Sequence, residues 1–194
     1  MDITSAAMEL FSQKGFHSTR ITDIASNLDI ASGTVYLYFK NKKELFAHVM
    51  DTYLARFVTL FSNEKPDLSN DIASFKKQLQ RIGDEIFVLF ISDEQMFKIM
   101  FRQSIDTDPA IDTKLALFIN QLNQFTEKYL INGINKGFLK GSINTQTTAK
   151  AVNGMIFTGV SDIMRNNSSP ELKQQWIDSI SVLMIDGLLK NVIN

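Results

Sequence analysis

The chain contains no cysteine, only two histidines and only three prolines in 194 residues. Without cysteine there is no disulfide, no thiolate metal ligand and no cysteine nucleophile, and a reducing compartment fits that absence. His17 and His48 are too few for a histidine-based metal centre. Glu44 and His48 lie four apart and can share a helix face, but two ligands do not make a metal site. The sequence also lacks a Gly-rich phosphate loop, a dinucleotide fingerprint and a nucleophile elbow. An enzyme is therefore not expected, and neither a metal nor a cofactor.

Long hydrophobic runs are missing too. Apolar residues come in short groups broken by charges, and none approaches the roughly 18 to 20 residues that span a bilayer. The chain opens on Asp2 and mixed polar residues, not on a basic segment followed by an apolar one, so no leader is expected and the location is read as cytoplasmic. Charge of one sign is equally scarce, with a formal net charge of −1. Within the first 50 residues Lys14, Arg20, Lys40, Lys42 and Lys43 are balanced by Asp2, Glu9, Asp23, Asp29 and Glu44. Any attraction to phosphate has to be local.

What is present is helical periodicity. Pro66, Pro109 and Pro170 each sit at a break between helical patterns. Asp108 and Ser169 stand directly before a proline, a cap followed by the residue best suited to the first helical position. Asn41 with Glu44 three residues on is a start of the capping-box type. The expected fold is all-α, with about nine helices over residues 3–14, 21–28, 32–38, 42–62, 68–91, 93–104, 109–136, 145–165 and 170–191. In the seventh, Leu115, Phe118, Leu122, Phe125 and Tyr129 recur every three or four positions and mark one face, and Gly137 ends it. Three short helices followed by long ones suggest a small N-terminal domain, residues 1–45, and a larger helical domain, residues 46–194.

The second and third helices, joined by a short turn around Leu28-Asp29-Ile30, have the layout of a helix-turn-helix. Asp29 falls where a left-handed backbone is often needed, and Asp tolerates that region better than most residues. On the third helix Val35 and Phe39 share an inward face that Ala31 extends by one turn. Ser32, Gly33, Tyr36 and Leu37 turn outward, flanked by Thr34, Tyr38 and Lys42. Short side chains and Gly at the start of a helix permit close approach to a major groove, while hydroxyls and lysines hold phosphates. The alternative is that Tyr36 and Tyr38 pack against the helix that begins at Lys42.

The run from Ala6 to Phe46, AAMELFSQKGFHSTRITDIASNLDIASGTVYLYFKNKKELF, resembles the DNA-binding segment of the TetR (tetracycline repressor) family of bacterial transcriptional regulators. The resemblance rests on Ala6-Ala7 with Leu10-Phe11, Gly15-Phe16, Ile24-Ala25, Gly33-Thr34-Val35-Tyr36, Tyr38-Phe39, and Asn41-Lys42 with Glu44-Leu45. It implies base contacts from Ser32, Gly33, Tyr36 and Leu37, and phosphate contacts from Thr34, Tyr38 and Lys42, with Thr19 and Thr22 as further candidates. Asp29 stands where the family usually has Gly, and Ala31 where it often has a capping Ser.

The resemblance further implies a homodimer on a near-palindromic double-stranded DNA operator, most simply a repressor released by a small apolar or acyl-type effector. In the segments 145–165 and 170–191 apolar residues occupy more than one face, which calls for a second buried contact and fits pairing of these helices across a two-fold axis. Candidate effector contacts are Phe90, Phe97, Met100, Phe101, Arg102, Phe118 and Phe125. The competing reading is a helical ligand-binding or catalytic protein that does not act on DNA.

Overall fold

The computed structural model describes residues 2–62, 64–92, 94–102, 109–166 and 169–188. Among them there are nine α-helices and one turn of 3-10 helix: α1 (Ile3–Lys14), α2 (Ile21–Asn27), α3 (Ser32–Tyr38), α4 (Lys42–Ser62), the 3-10 turn (Pro66–Leu68), α5 (Ile72–Ser92), α6 (Glu94–Arg102), α7 (Pro109–Asn135), α8 (Thr145–Arg165) and α9 (Pro170–Leu188). The chain forms two compact units, one of residues 1–63 and 93–118 and the other of residues 64–92 and 119–194.

In the first unit α1 packs against α2, α4 and α6. Asp2 starts α1 by accepting from the Ser5 N–H at 2.8 Å, satisfying one of the orphan donors at a helix start. The stripe Ala7, Leu10 and Phe11 is buried, as are Leu45, Phe46, Val49 and Met50 of α4. Phe11 and Phe16 both meet Phe46 edge-on, with centroids 5.1 and 5.0 Å from it, so one aromatic cluster ties α1 and its following loop to α4. Asn41 caps α4 through the Glu44 N–H at 2.9 Å, and the Glu44 carboxylate reaches back to the Lys40 N–H at 2.7 Å. The reciprocal cap read from the sequence is present, displaced by one residue on its return arm. His48 packs its ring on Phe39, 5.3 Å between centroids.

In the second unit α8 packs on α9, and both pack on α5. Helix α5 begins at Ile72 and not near residue 68, because Asp71 accepts from the Ser74 N–H at 2.7 Å and fixes the start there. The preceding segment is held by side chains of α5 and α7: Gln78 donates to the Lys65 carbonyl at 2.9 Å and Asn132 to that of Pro66 at 2.6 Å. Gly137, at φ +75°, closes α7, with the Phe138 N–H returning to the Gly133 carbonyl at 2.8 Å. At Gly159 of α8 an added Cβ would lie 2.9 Å from Trp176 and 3.0 Å from Phe87, so only glycine lets these rings close over the helix. No helix among the described residues is long and apolar enough to cross a membrane.

Candidate nucleic-acid interface and apolar cavity

Helices α2 and α3 make a helix-turn-helix whose turn is closed by the backbone. The Ile30 N–H donates to the Ala25 carbonyl at 3.0 Å, and Asp29 between them has φ 54°, the left-handed conformation expected of it. The start of α2 is set by Asp23, whose carboxylate accepts from the Arg20 N–H at 2.9 Å. Ala31 caps α3 without a side-chain hydrogen bond and is itself exposed, so the inward face of α3 does not extend to it.

The inward face consists of Val35, fully buried, with Phe39 half-buried behind it. The opposite face is open: Tyr36 is 54% exposed, Leu37 83% and Tyr38 69%. Neither tyrosine packs against α4 to the extent that the alternative reading required. Gly33 is exposed with nothing within 4 Å of where a Cβ would stand, and Ser32 and Thr34 lie half-buried beside it. Helix α3 therefore presents a small-residue N-terminal turn followed by a hydroxyl-bearing aromatic surface, a shape suited to a groove. Thr22, on the first turn of α2, is exposed.

Two expected phosphate contacts have other employment. Thr19 is fully buried, and its hydroxyl sits 2.8 Å from the Gly15 carbonyl and 3.2 Å from that of Leu10. It locks the end of α1 to the start of α2 and has no surface to offer a partner. Lys42 turns its ammonium inward, donating to the carbonyls of Phe16 at 2.6 Å, Thr19 at 2.9 Å and His17 at 3.2 Å, with the Phe16 ring 4.4 Å beneath it. All three of its protons are thereby used. Burial pushes the Lys42 ammonium below the ordinary lysine range. The loop of residues 16–19 turns several carbonyls inward and needs a cation to satisfy them. Lys42 is that cation, a role hidden from the sequence by a separation of more than twenty residues. Exposed cations that flank α2 and α3 are Arg20 and Lys40.

The second unit holds a partly open cavity of about 70 Å³ between α5, α7, α8 and α9. Its wall is almost wholly apolar, including Ile82 and Ile86 of α5, Val152 and Ile156 of α8, and Ile177 and Ile180 of α9. Of the effector contacts expected from the sequence, Phe125 lines it. Phe90 is buried in the same unit edge-on to Phe157, away from the cavity wall. Phe97 and Phe118 are core residues of the first unit, Phe118 packing edge-on to Phe57 with centroids 4.8 Å apart. The side chains of Met100, Phe101 and Arg102 lie outside the described residues.

Gly83 and Tyr129 also line the cavity; the sequence marks Tyr129 only as part of the apolar face of α7, and neither residue as an effector contact. A Cβ on Gly83 would meet nothing within 4 Å, so this glycine leaves room. The Tyr129 side chain is buried, and its hydroxyl lies 3.4 Å from the Glu64 carboxylate. Glu64 is gripped in turn by the Arg81 guanidinium, at 2.6 and 2.7 Å, and Arg81 also reaches Glu85 at 2.9 Å. The Arg81 fork holds Glu64 below the usual glutamate range, while burial first and the Glu64 charge second push the Tyr129 phenol up.

Against known proteins, the sequence profile of the bacterial regulatory proteins of the tetR family fits residues 3–49. A fatty acid metabolism regulator protein of Bacillus subtilis (strain 168) is 24% identical over 192 residues, covering 97% of this chain and 94% of its own. An HTH-type transcriptional regulator of Haemophilus influenzae is 38% identical over 68 residues, 33% of this chain and 36% of its own. Among solved structures, the transcriptional regulator FadR from Bacillus subtilis in complex with stearoyl-CoA superposes with a TM-score of 0.79 at 20% identity, covering 95% of this chain and 97% of that one. The fatty acid degradation regulator FadR from Bacillus halodurans also gives 0.79, at 18% identity over 95% of this chain and 93% of its own. At these identities the structural likeness speaks for the fold.

Proposed function

We propose that this chain, whose residues 3–49 fit the tetR family of bacterial regulatory proteins, is a cytoplasmic repressor of that family that binds a near-palindromic operator as a homodimer and is released by an acyl-type effector. The observation that carries the DNA-binding half is the open face of α3, where Gly33, Tyr36, Leu37 and Tyr38 stand in solvent on a helix of seven residues. Large apolar and aromatic side chains left exposed together on so short a helix suit a partner surface. Base contacts are assigned to Ser32, Gly33, Tyr36 and Leu37, and backbone contacts to Thr22, Thr34 and Tyr38. Arg20 and Lys40 replace Lys42 and Thr19 as candidates for phosphate. DNA recognition is assigned to residues 1–45, and effector binding with dimerisation to residues 46–194.

The dimer reading is supported by α9, on which Val182 is 57% and Leu183 62% exposed, so that this helix has an apolar face its own unit does not cover. Pairing of α8 and α9 with a second copy would cover it and set two α3 helices on successive major grooves, about 34 to 36 Å apart. The effector half is supported by the apolar cavity and by the similarity to regulators of fatty acid metabolism. At about 70 Å³ the cavity is well below the roughly 300 to 1,000 Å³ of ordinary ligand pockets, so a long acyl chain must part its walls on entry. The ligand then shifts operator affinity only by its differential affinity for the operator-binding and released forms.

Selecting bound sites from random duplexes tests the reading, followed by a screen of acyl ligands for release. One recurrent near-palindrome, bound two chains per duplex, is expected. Binding without sequence preference would count against it.

A further inference from the structure

The apolar cavity and the ion pair of the second unit share a residue. Tyr129 lines the cavity with its ring and touches the Glu64 carboxylate with its hydroxyl. Glu64 receives both arms of the Arg81 guanidinium. The carboxylate is therefore cradled by a planar two-pronged cation, itself half exposed, and by a phenol; of these groups Tyr129 alone lines the cavity and joins it to the ion pair. This is the donor set that recognises the acidic end of an amphipathic molecule, because a guanidinium fork matches carboxylate or phosphate oxygens and loses less entropy per bond than an ammonium. Glu64 lies on an irregular stretch before the 3-10 turn, not on a rigid helix, so it can yield its place by a local rearrangement. Arg81 sits within α5, which fixes its position whatever Glu64 does.

We propose that Arg81 and Tyr129 form an anion subsite for the head group of the effector, and that Glu64 fills this subsite from within when no effector is bound. The inference rests on the acyl-effector reading and deepens it: the tail takes the cavity, and the anionic end takes the partners of Glu64. Entry of ligand then replaces one carboxylate by another acidic group, which keeps the Arg81 charge paired throughout. Glu85 stays on Arg81 and the Asp67 charge acts on Tyr129, so the arriving anion meets neighbouring negative charge, with Glu85 half-exposed and screened by solvent.

The test compares three ligands of one chain length, hexadecanoate, hexadecanoyl-CoA and hexadecanol, on the full chain and on the variants Glu64→Gln and Arg81→Met. Binding is read by Trp176 fluorescence and by calorimetry, with a thermal melt of each variant to establish that it folds. Glu64→Gln removes the internal competitor and is expected to tighten the acid about tenfold while leaving the alcohol within about twofold; Arg81→Met should weaken the acid by about tenfold or more with the same indifference of the alcohol. A gain for the acid alone assigns the subsite to a carboxylate, and a matching gain for the CoA ester extends it to phosphate. Parallel changes for acid and alcohol, or none, overturn the subsite while the acyl reading stands. If none of the three ligands binds the unaltered protein, the acyl reading falls and the subsite with it.

Discussion

Lys42 illustrates how one side chain can be claimed by two roles and be available for only one. Its three hydrogen bonds to the carbonyls of Phe16, His17 and Thr19 hold the loop between α1 and α2, and Lys42→Met leaves those acceptors unpaired. The expected cost is about 1 to 3 kcal/mol in a chemical melt, and the salt slope of duplex binding should be unchanged at temperatures where the variant is folded. A phosphate-binding lysine would do the reverse, leaving the melt alone and flattening the slope. Tyr36→Ala carries the opposite signature. Being 54% exposed, Tyr36 contributes within about 0.5 kcal/mol to stability, yet its loss should weaken operator binding by about tenfold or more. Asp29→Gly relieves a left-handed backbone at the expense of a freer unfolded chain, so its melt should shift by less than about 1 kcal/mol, on the stabilising side.

At the scale of elements, two glycines in helix interiors separate packing from space. Gly159→Ala drives a methyl into Trp176 and Phe87 and should destabilise by about 1 to 3 kcal/mol, whereas Gly83→Ala meets open space and should stabilise α5 by about 0.5 to 1 kcal/mol while shrinking the cavity and weakening acyl ligands. Paired thermal melts would read the two signs directly. The Glu64 contact adds a pH dependence. Its folded pKa lies below the ordinary 4.5, so its contribution is complete above that value and is lost as pH falls through the depressed one. Acid unfolding of Glu64→Gln should therefore be the less steep of the two. The helices themselves were legible because their signals are local: Asn41 with Glu44, Ser169 before Pro170, and Gly137 each act within four residues. The short break at residues 69–71 was not, since the apolar spacing runs across it and only the Asp71 cap resolves the start of α5.

For the molecule as a whole, the sequence separated the two faces of α3, with Tyr36, Leu37 and Tyr38 exposed against buried Val35, because a 3.6-residue period fixes which side chains oppose one another. It misjudged Thr19 and Lys42, whose burial depends on partners brought close only by folding. Nor could it separate wall from core among the phenylalanines, since lining a cavity and filling one ask for the same side chains; Phe125 went to the wall, Phe97 and Phe118 to the core of another unit. If Arg20 and Lys40, two cations per protomer, alone meet phosphate, the dimer's salt slope should be near −4, at about −0.9 per neutralised phosphate. A slope steeper than about −8 would mean that cations elsewhere carry the contact.

The most direct measurement is operator affinity, by fluorescence anisotropy on the selected duplex, with and without a saturating long-chain acyl ligand whose binding is followed in parallel through Trp176. A fall in affinity of about tenfold or more, within the range that coupled sites usually show, is the expected result. A ligand that saturates the protein and leaves operator affinity unchanged would contradict the account.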